Sequence, residues 1–290
     1  ALVGGEIHPV SRPTIPDGTI LFVDGKIAAV GQHVELPAGC IKIDIRGKHV
    51  YPGLIDGYNN VELVEINSIR ATKDDVETGE INPNSRAQVA VNPDSEIIPT
   101  TRSNGVLVAL TGPSGGLLSG RSVLLQLDGW TWEDLTLRSD VALHIRWPSM
   151  SPVGDLFYTA PSREQTDARD KALEQLRRTF EQAVTYAKAR SAAPDQHPVD
   201  QRWESLRPVL DGSLPVIIHA DETQQIQAAV AFARQYKLRM ILHGGYDSPQ
   251  CADLLKQYQI PVIVAGTYRL PLRRSDDYDA AYTVPERLRA

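Results

Sequence analysis

The sequence predicts an α/β fold: a parallel sheet built from strand–helix units, preceded by a small β-rich module. Two observations carry that expectation. From Pro208 onward, apolar strands and amphipathic helices alternate at the spacing of βα units. Residues 1 to about 52 are instead a series of short β signals joined by turns. A third observation bears on chemistry, because two of the later strands end in histidine, at the strand edge that carries the reacting groups in βα architectures.

In chain order, Gly4 to Pro9 is followed by a turn-prone stretch from Pro13 to Gly18, then by a strand over Thr19–Val23. Asp24-Gly25 is a two-residue hairpin turn, with Lys26–Gly31 as the return strand. Ile41–Ile45 alternates apolar and polar residues, as a half-buried strand does. Lys48 to Asn60 then reads as a short apolar strand that enters through Pro52-Gly53 and turns polar at its far end. Side chains on a strand repeat every second residue, so Asp56, Tyr58 and Asn60 are expected on one side, lining the mouth of a buried sheet.

Residues 61 to about 100 are polar and rich in turn signals, with a short helix expected near Ser95 to Asn104. A loop this long in a compact domain is expected to serve a site or a partner. Gly105–Leu110 reads as a fully buried strand that runs into the glycine-rich Thr111–Gly116. That loop is read as a tight strand-end turn rather than a phosphate cradle, since no Lys-Ser/Thr follows the glycines and no helix opens there. Ser122–Leu127 and Val141–Ile145 are the next strands. A helical insertion is expected over roughly 155–200, with Leu173, Leu176, Phe180, Val184 and Ala187 forming one face of a helix from Lys171 to Arg190. The regular part then runs as strand 214–220, helix 222–236, strand 238–245, helix 249–258 and strand 260–266, with a last helical stretch at 284–289.

At 290 residues the chain has room for one large domain with a small companion. A formal charge of −6 without a basic run excludes nucleic acid as an expected partner. No apolar stretch approaches the roughly 18–20 residues of a membrane span, and no signal peptide is visible. Cys40 and Cys251 have no metal-motif or disulfide-framework spacing, which leaves the compartment open.

His219 and His243 lie one βα unit apart, so they are expected to project from adjacent strands on the same face. Two imidazoles there suit a divalent ion, zinc above all, since zinc favours nitrogen ligands. His144 closes an earlier strand and is followed by Arg146, which makes it a candidate for the same mouth. Asp276, Asp277 and Asp279 read as a solvated loop or helix cap. Ser114 has no nucleophile-elbow setting, Lys171 and Lys188 stand at no strand end, and His8, His33, His49 and His197 receive no role.

The frame Pro52-Gly53-Leu54-Ile55-Asp56 resembles the first barrel strand of the amidohydrolase superfamily, near its imidazolonepropionase and dipeptidase-like members. Val91-Asn92-Pro93, Thr101–Gly105, Pro113–Gly116 and Leu127–Asp134 resemble an uncharacterised subgroup related to imidazolonepropionase. The resemblance runs from Ile20 to Leu288. It implies a TIM-type (β/α) barrel over 53–290, incomplete at its C-terminal end, and a small β-sandwich module over 1–52. It also implies hydrolysis of carbon–nitrogen bonds, in small non-peptide or dipeptide-like amides, by metal-activated water. His219 and His243 match the metal-binding histidines of the fifth and sixth strands, whereas the two first-strand ligands fall on Tyr58 and Asn60. The eighth strand's aspartate has no match. Two readings follow: a metal-dependent hydrolase whose activity is weak or lost, taking a small-molecule substrate, or a non-catalytic module that serves binding or assembly, as a homo-oligomer or within a longer protein.

Overall fold

The Asp24-Gly25 turn forms as its residues demand. Both have positive φ, +50° and +74°, the geometry of the tight hairpin turn that matches strand twist. It joins β2 (Ile15–Val23) to β3 (Lys26–Gly31), and β1 (Leu2–Ile7) pairs antiparallel with the other side of β2. Two short strands, β4 (Ile43–Asp44) and β5 (His49–Val50), pair parallel with β1 and complete the sheet of the first unit, Ala1–Leu54. The computed structural model describes residues 1–152 and 162–289.

Two expectations for this unit change. The stretch read as a turn from Pro13 to Gly18 belongs largely to β2, which starts at Ile15. Gly18 permits this: it pairs with Gly5, and a side chain on it would collide with Ile7 Cδ1 at 2.4 Å. The alternating Ile41–Ile45 is not a half-buried strand, since only Ile43–Asp44 pairs and Ile41 and Ile43 are exposed, while Ile45 alone is buried.

The second unit, Ile55–Ala290, holds two sheets. After β6 (Leu54–Asn59) come α1 (Ile97–Ser103), β7 (Val106–Thr111), β8 (Leu118–Arg121), β9 (Val123–Gln126), α2 (Trp132–Leu135) and β10 (Thr136–Arg138). β6, β7, β9 and β10 form a four-stranded sheet. Next come β11 (Leu143–Arg146), α3 (Ser162–Ala192), α4 (Gln201–Leu210), β12 (Val216–Ala220), α5 (Thr223–Gln235), β13 (Met240–Gly244), α6 (Ala252–Gln257), β14 (Val262–Val264) and α7 (Ala280–Arg289). β11 to β14 are mutually parallel in sequence order, with β8 antiparallel at the β11 edge. β8 escapes the sequence pattern because Leu-Ser-Gly-Arg has no alternation, yet all four residues are buried. β7 is buried only over its last three positions rather than throughout. The insertion's helix is longer than expected, and the residues 155–161 that open the insertion lie outside the described ones. Among the described residues no helix is long and apolar enough to cross a membrane.

The period of two decides what each face of the parallel sheet does. Leu143, Ile145, Val216, Ile218 and Leu242 pack with Leu176 and Phe180 of α3, Leu206 and Val209 of α4, and Ile226 and Val230 of α5. Fully burying a side chain such as Phe180 contributes about 1.5–3 kcal/mol relative to leaving it in water. The intervening residues His144, Ile217, His219, Ile241 and His243 must then face the other way. There Ile217 joins Leu110 and Ala142 in a small separate cluster, with Ile241 and Ile263 against it. The helices thereby fix the polar residues of these strands on the inner face.

Candidate functional site at the strand ends

Three imidazoles meet on that inner face. His219 and His243 are direct partners in the β12–β13 register, and His144 comes from the neighbouring β11. His144 Nδ1 lies 2.9 Å from His219 Nε2, and His219 Nδ1 lies 2.9 Å from His243 Nδ1. Both ring nitrogens of His219 are therefore engaged by neighbouring histidines.

Tyr58, from the end of β6, fills the space these rings surround. Its ring centroid is 4.9 Å from His144, 4.9 Å from His219 and 4.7 Å from His243, stacked on the first and edge-on to the other two. Its hydroxyl donates to the Pro113 carbonyl at 3.0 Å and accepts from Arg146 at 3.1 Å. Gly112 makes this approach possible: a Cβ there would stand 2.8 Å from Tyr58 Cε2 and 3.1 Å from His144 Nε2. The glycine-rich strand-end loop thus serves close packing.

Of Asp56, Tyr58 and Asn60, expected to line the mouth, only Tyr58 enters the histidine cluster. Asp56 accepts from the Tyr58 amide at 3.2 Å and from Asn59 at 2.8 Å, and reaches His243 only through its field. Asn60 lies just past the strand and donates to Asp75 at 3.0 Å. Asp75 is buried and also accepts from the Ser114 hydroxyl, which gives Ser114 a structural partner. Sequence reasoning passed over Asp75, and over Glu62, whose side chain is 1% exposed and accepts from Thr111 at 2.6 Å. Both come from the long polar stretch after residue 60, and the length of that stretch was the one available signal. Arg146, which the sequence marks only as the neighbour of His144, reaches the Tyr58 hydroxyl. Asp276 is not solvated as expected, for it accepts from the Tyr246 hydroxyl at 2.9 Å and pairs with Arg273, which also grips the buried Asp247.

The site's electrostatics keep it neutral at the imidazoles. Burial, with the Arg146 charge adding to it, lowers His144 to about 3. Burial also holds His219 well below the usual histidine range, and lowers His243 to about 4 against the opposing fields of Asp221 and Asp56. Burial raises the Tyr58 phenol and the Glu62 carboxyl. These residues do not fit a hydrolytic metal centre, which needs about three protein ligands and a position for water. Two nitrogens converge, from His219 and His243, but no third histidine, cysteine or carboxylate donor among the described residues lies within 4.8 Å of both. Tyrosine is a poor ligand while protonated, and its ring stands in the space between the imidazoles. The fixed charge of Arg146 also opposes a second cation there.

A separate cleft of about 680 Å³ lies between the Thr78–Asn82 segment and α3, with Lys171, Arg178, Arg202 and Trp203 among its walls.

No family model and no curated protein matches the sequence. Among solved structures, an amidohydrolase from Thermotoga maritima MSB8 superimposes with a TM-score of 0.84 at 18% identity, over 99% of this chain and 75% of that one. A prolidase solved with N-methylphosphonate-L-proline and a second amidohydrolase match at TM-scores of 0.44 and 0.45, with 14% and 16% identity. Each covers 99% of this chain, and 72% and 75% of the respective matched chains. Overlaps that low add nothing to the argument. The first match bears out the resemblance read from the sequence at the level of fold: an α/β architecture of TIM-barrel type with mixed sheets, as in the amidohydrolases.

Proposed function

We propose that this amidohydrolase-type fold has exchanged its strand-end metal centre for a packed polar cluster, and that the protein binds a small molecule or partner rather than hydrolysing an amide. The observation that carries this is the Tyr58 ring, held within 4.9 Å of all three imidazole centroids. Its hydroxyl is tied to Pro113 and Arg146, so moving the ring aside breaks two hydrogen bonds. The second unit is further proposed to follow the (β/α) barrel plan, with the first unit as part of a β-sandwich. Among the described residues α7 follows β14 with no strand between them.

A second reading, a weak metal-dependent hydrolase of carbon–nitrogen bonds, is favoured by the His219 and His243 nitrogens at 2.9 Å. Zinc is the expected ion in that reading, because two imidazoles are its preferred donors.

The two readings separate in one experiment. The protein is loaded with zinc, manganese or iron, its metal content is compared with that of His219→Ala, and it is assayed on acyl-dipeptides and cyclic amides. Equal metal content and no turnover are expected. A His219-dependent ion together with turnover overturns the binding reading. The double variant Tyr58→His/Asn60→His, which removes the ring and supplies two imidazoles, is expected to gain an ion that His219→Ala then removes.

A further inference from the structure

The first unit holds a cluster that plays no part in the strand-end site. Glu6 on β1 is the direct partner of His49 on β5, and His8 lies two residues beyond Glu6, so it returns to the same side. The backbones are locked at this point, with the Glu6 amide donating to Lys48 and the His8 amide to Val50, both at 2.9 Å. Three donor atoms converge as a result. Glu6 Oε1 is 3.2 Å from His8 Nε2 and 3.7 Å from His49 Nδ1, and the two nitrogens are 3.0 Å apart. Ligands at zinc distances on a tetrahedron are separated by about 3.3 Å, which lies within that spread.

Two further contacts aim His8 inward. The Thr14 hydroxyl lies 3.2 Å from His8 Nδ1 and can accept its proton, which leaves the lone pair on Nε2, the atom that faces Glu6 and His49. A bond of this kind on the remote nitrogen is what orients metal-bound histidines. Tyr51 stacks on the His8 ring at 4.4 Å and 5°, holding its plane. The Glu6 and His49 side chains are 44% and 55% exposed, so a water can take a fourth position.

We infer that Glu6, His8 and His49 form a divalent-metal site, best suited to zinc, that clamps β5 to β1 in the first unit. The donor set is two neutral imidazoles and one carboxylate, and it is independent of His219 and His243. The ion's role is structural: it links strands whose pairing is only two residues long.

The test uses the full chain, stripped with EDTA, dialysed and titrated with Zn²⁺ alone by calorimetry, with Co²⁺ absorption as a second readout of ligand type. One equivalent is expected to bind and to raise the thermal midpoint, reversibly with EDTA. His8→Ala and His49→Ala are each expected to weaken binding at least tenfold. Glu6→Gln, which keeps shape and loses charge, is expected to weaken binding while circular dichroism stays unchanged. His219→Ala leaves this binding intact. The inference is overturned if the wild-type chain shows no saturable Zn²⁺ binding. Binding that survives the His8→Ala/His49→Ala double variant and disappears with His219→Ala overturns it equally.

Discussion

Lowering the pH from 8 to 5 is expected to cost this protein about 2 kcal/mol of stability through His144, and His219 adds a loss of the same sign. Both are neutral in the folded state and hold pKa values far below 6.5, chiefly through burial. Above pH 6.5 neither state carries the protons, and these groups contribute nothing. Below it the unfolded chain binds them and the folded chain does not, so each group removes about 1.4 kcal/mol per pH unit until its folded pKa is reached. For His144 that limit is about 3. A loss of this size is a large fraction of the whole stability of an ordinary domain, about 5–15 kcal/mol. Urea unfolding at pH 8, 7, 6 and 5 measures the slope directly. In His144→Gln one titrating group is gone, and the slope should become shallower by about 1.4 kcal/mol per pH unit. Parallel slopes in the two proteins would mean that His144 is charged in the fold, contrary to its burial.

Gly112→Ala is expected to destabilise the second unit by about 1–3 kcal/mol, although the backbone conformation there is ordinary. The added methyl meets Tyr58 Cε2, His144 Nε2 and Ser122 Cβ at 2.8, 3.1 and 3.2 Å, so it has no direction of escape. Tyr58→Ala alone should cost about 3–5 kcal/mol, from the lost ring and the space left among the imidazoles. The two changes should not add. With the Tyr58 ring gone, the tightest of the three collisions disappears, and the double variant should be less destabilised than the sum by about 1–2 kcal/mol. Additivity to within about 0.5 kcal/mol would show that the ring does not sit against Gly112.

What the sequence made legible follows from how each residue is held. His219 and His243 end continuous apolar runs, so the strand period and the βα repeat place them at one register, and the register is observed. His144 was legible for the same reason, since Leu143 and Ile145 on either side of it face the helices. Glu62 and Asp75 were not, because the stretch that carries them has no period of two or 3.6 to assign a face. Their burial depends on contacts with Thr111 and Ser114 from the other end of β7. Tyr58 was visible as a departure from a metal motif, but its consequence was not. In the folded protein the ring fills the centre rather than turning out to solvent. Glu6, His8 and His49 escaped altogether, as two short parallel strands bring together His8 and His49 from 41 residues apart. Pairings two residues long leave no periodic signal.

The linear contact of the three strand-end imidazoles has one more implication. A neutral imidazole carries a single N–H, and His219 faces a nitrogen on each side. If His219 donates toward His243, it must accept from His144; if it donates toward His144, it must accept from His243. The tautomers of all three rings are therefore one shared variable with two settings. The setting decides whether the buried Nε2 of His144, beside Gly112, carries a proton or a lone pair. Fixing the N–H of any one ring therefore fixes the other two.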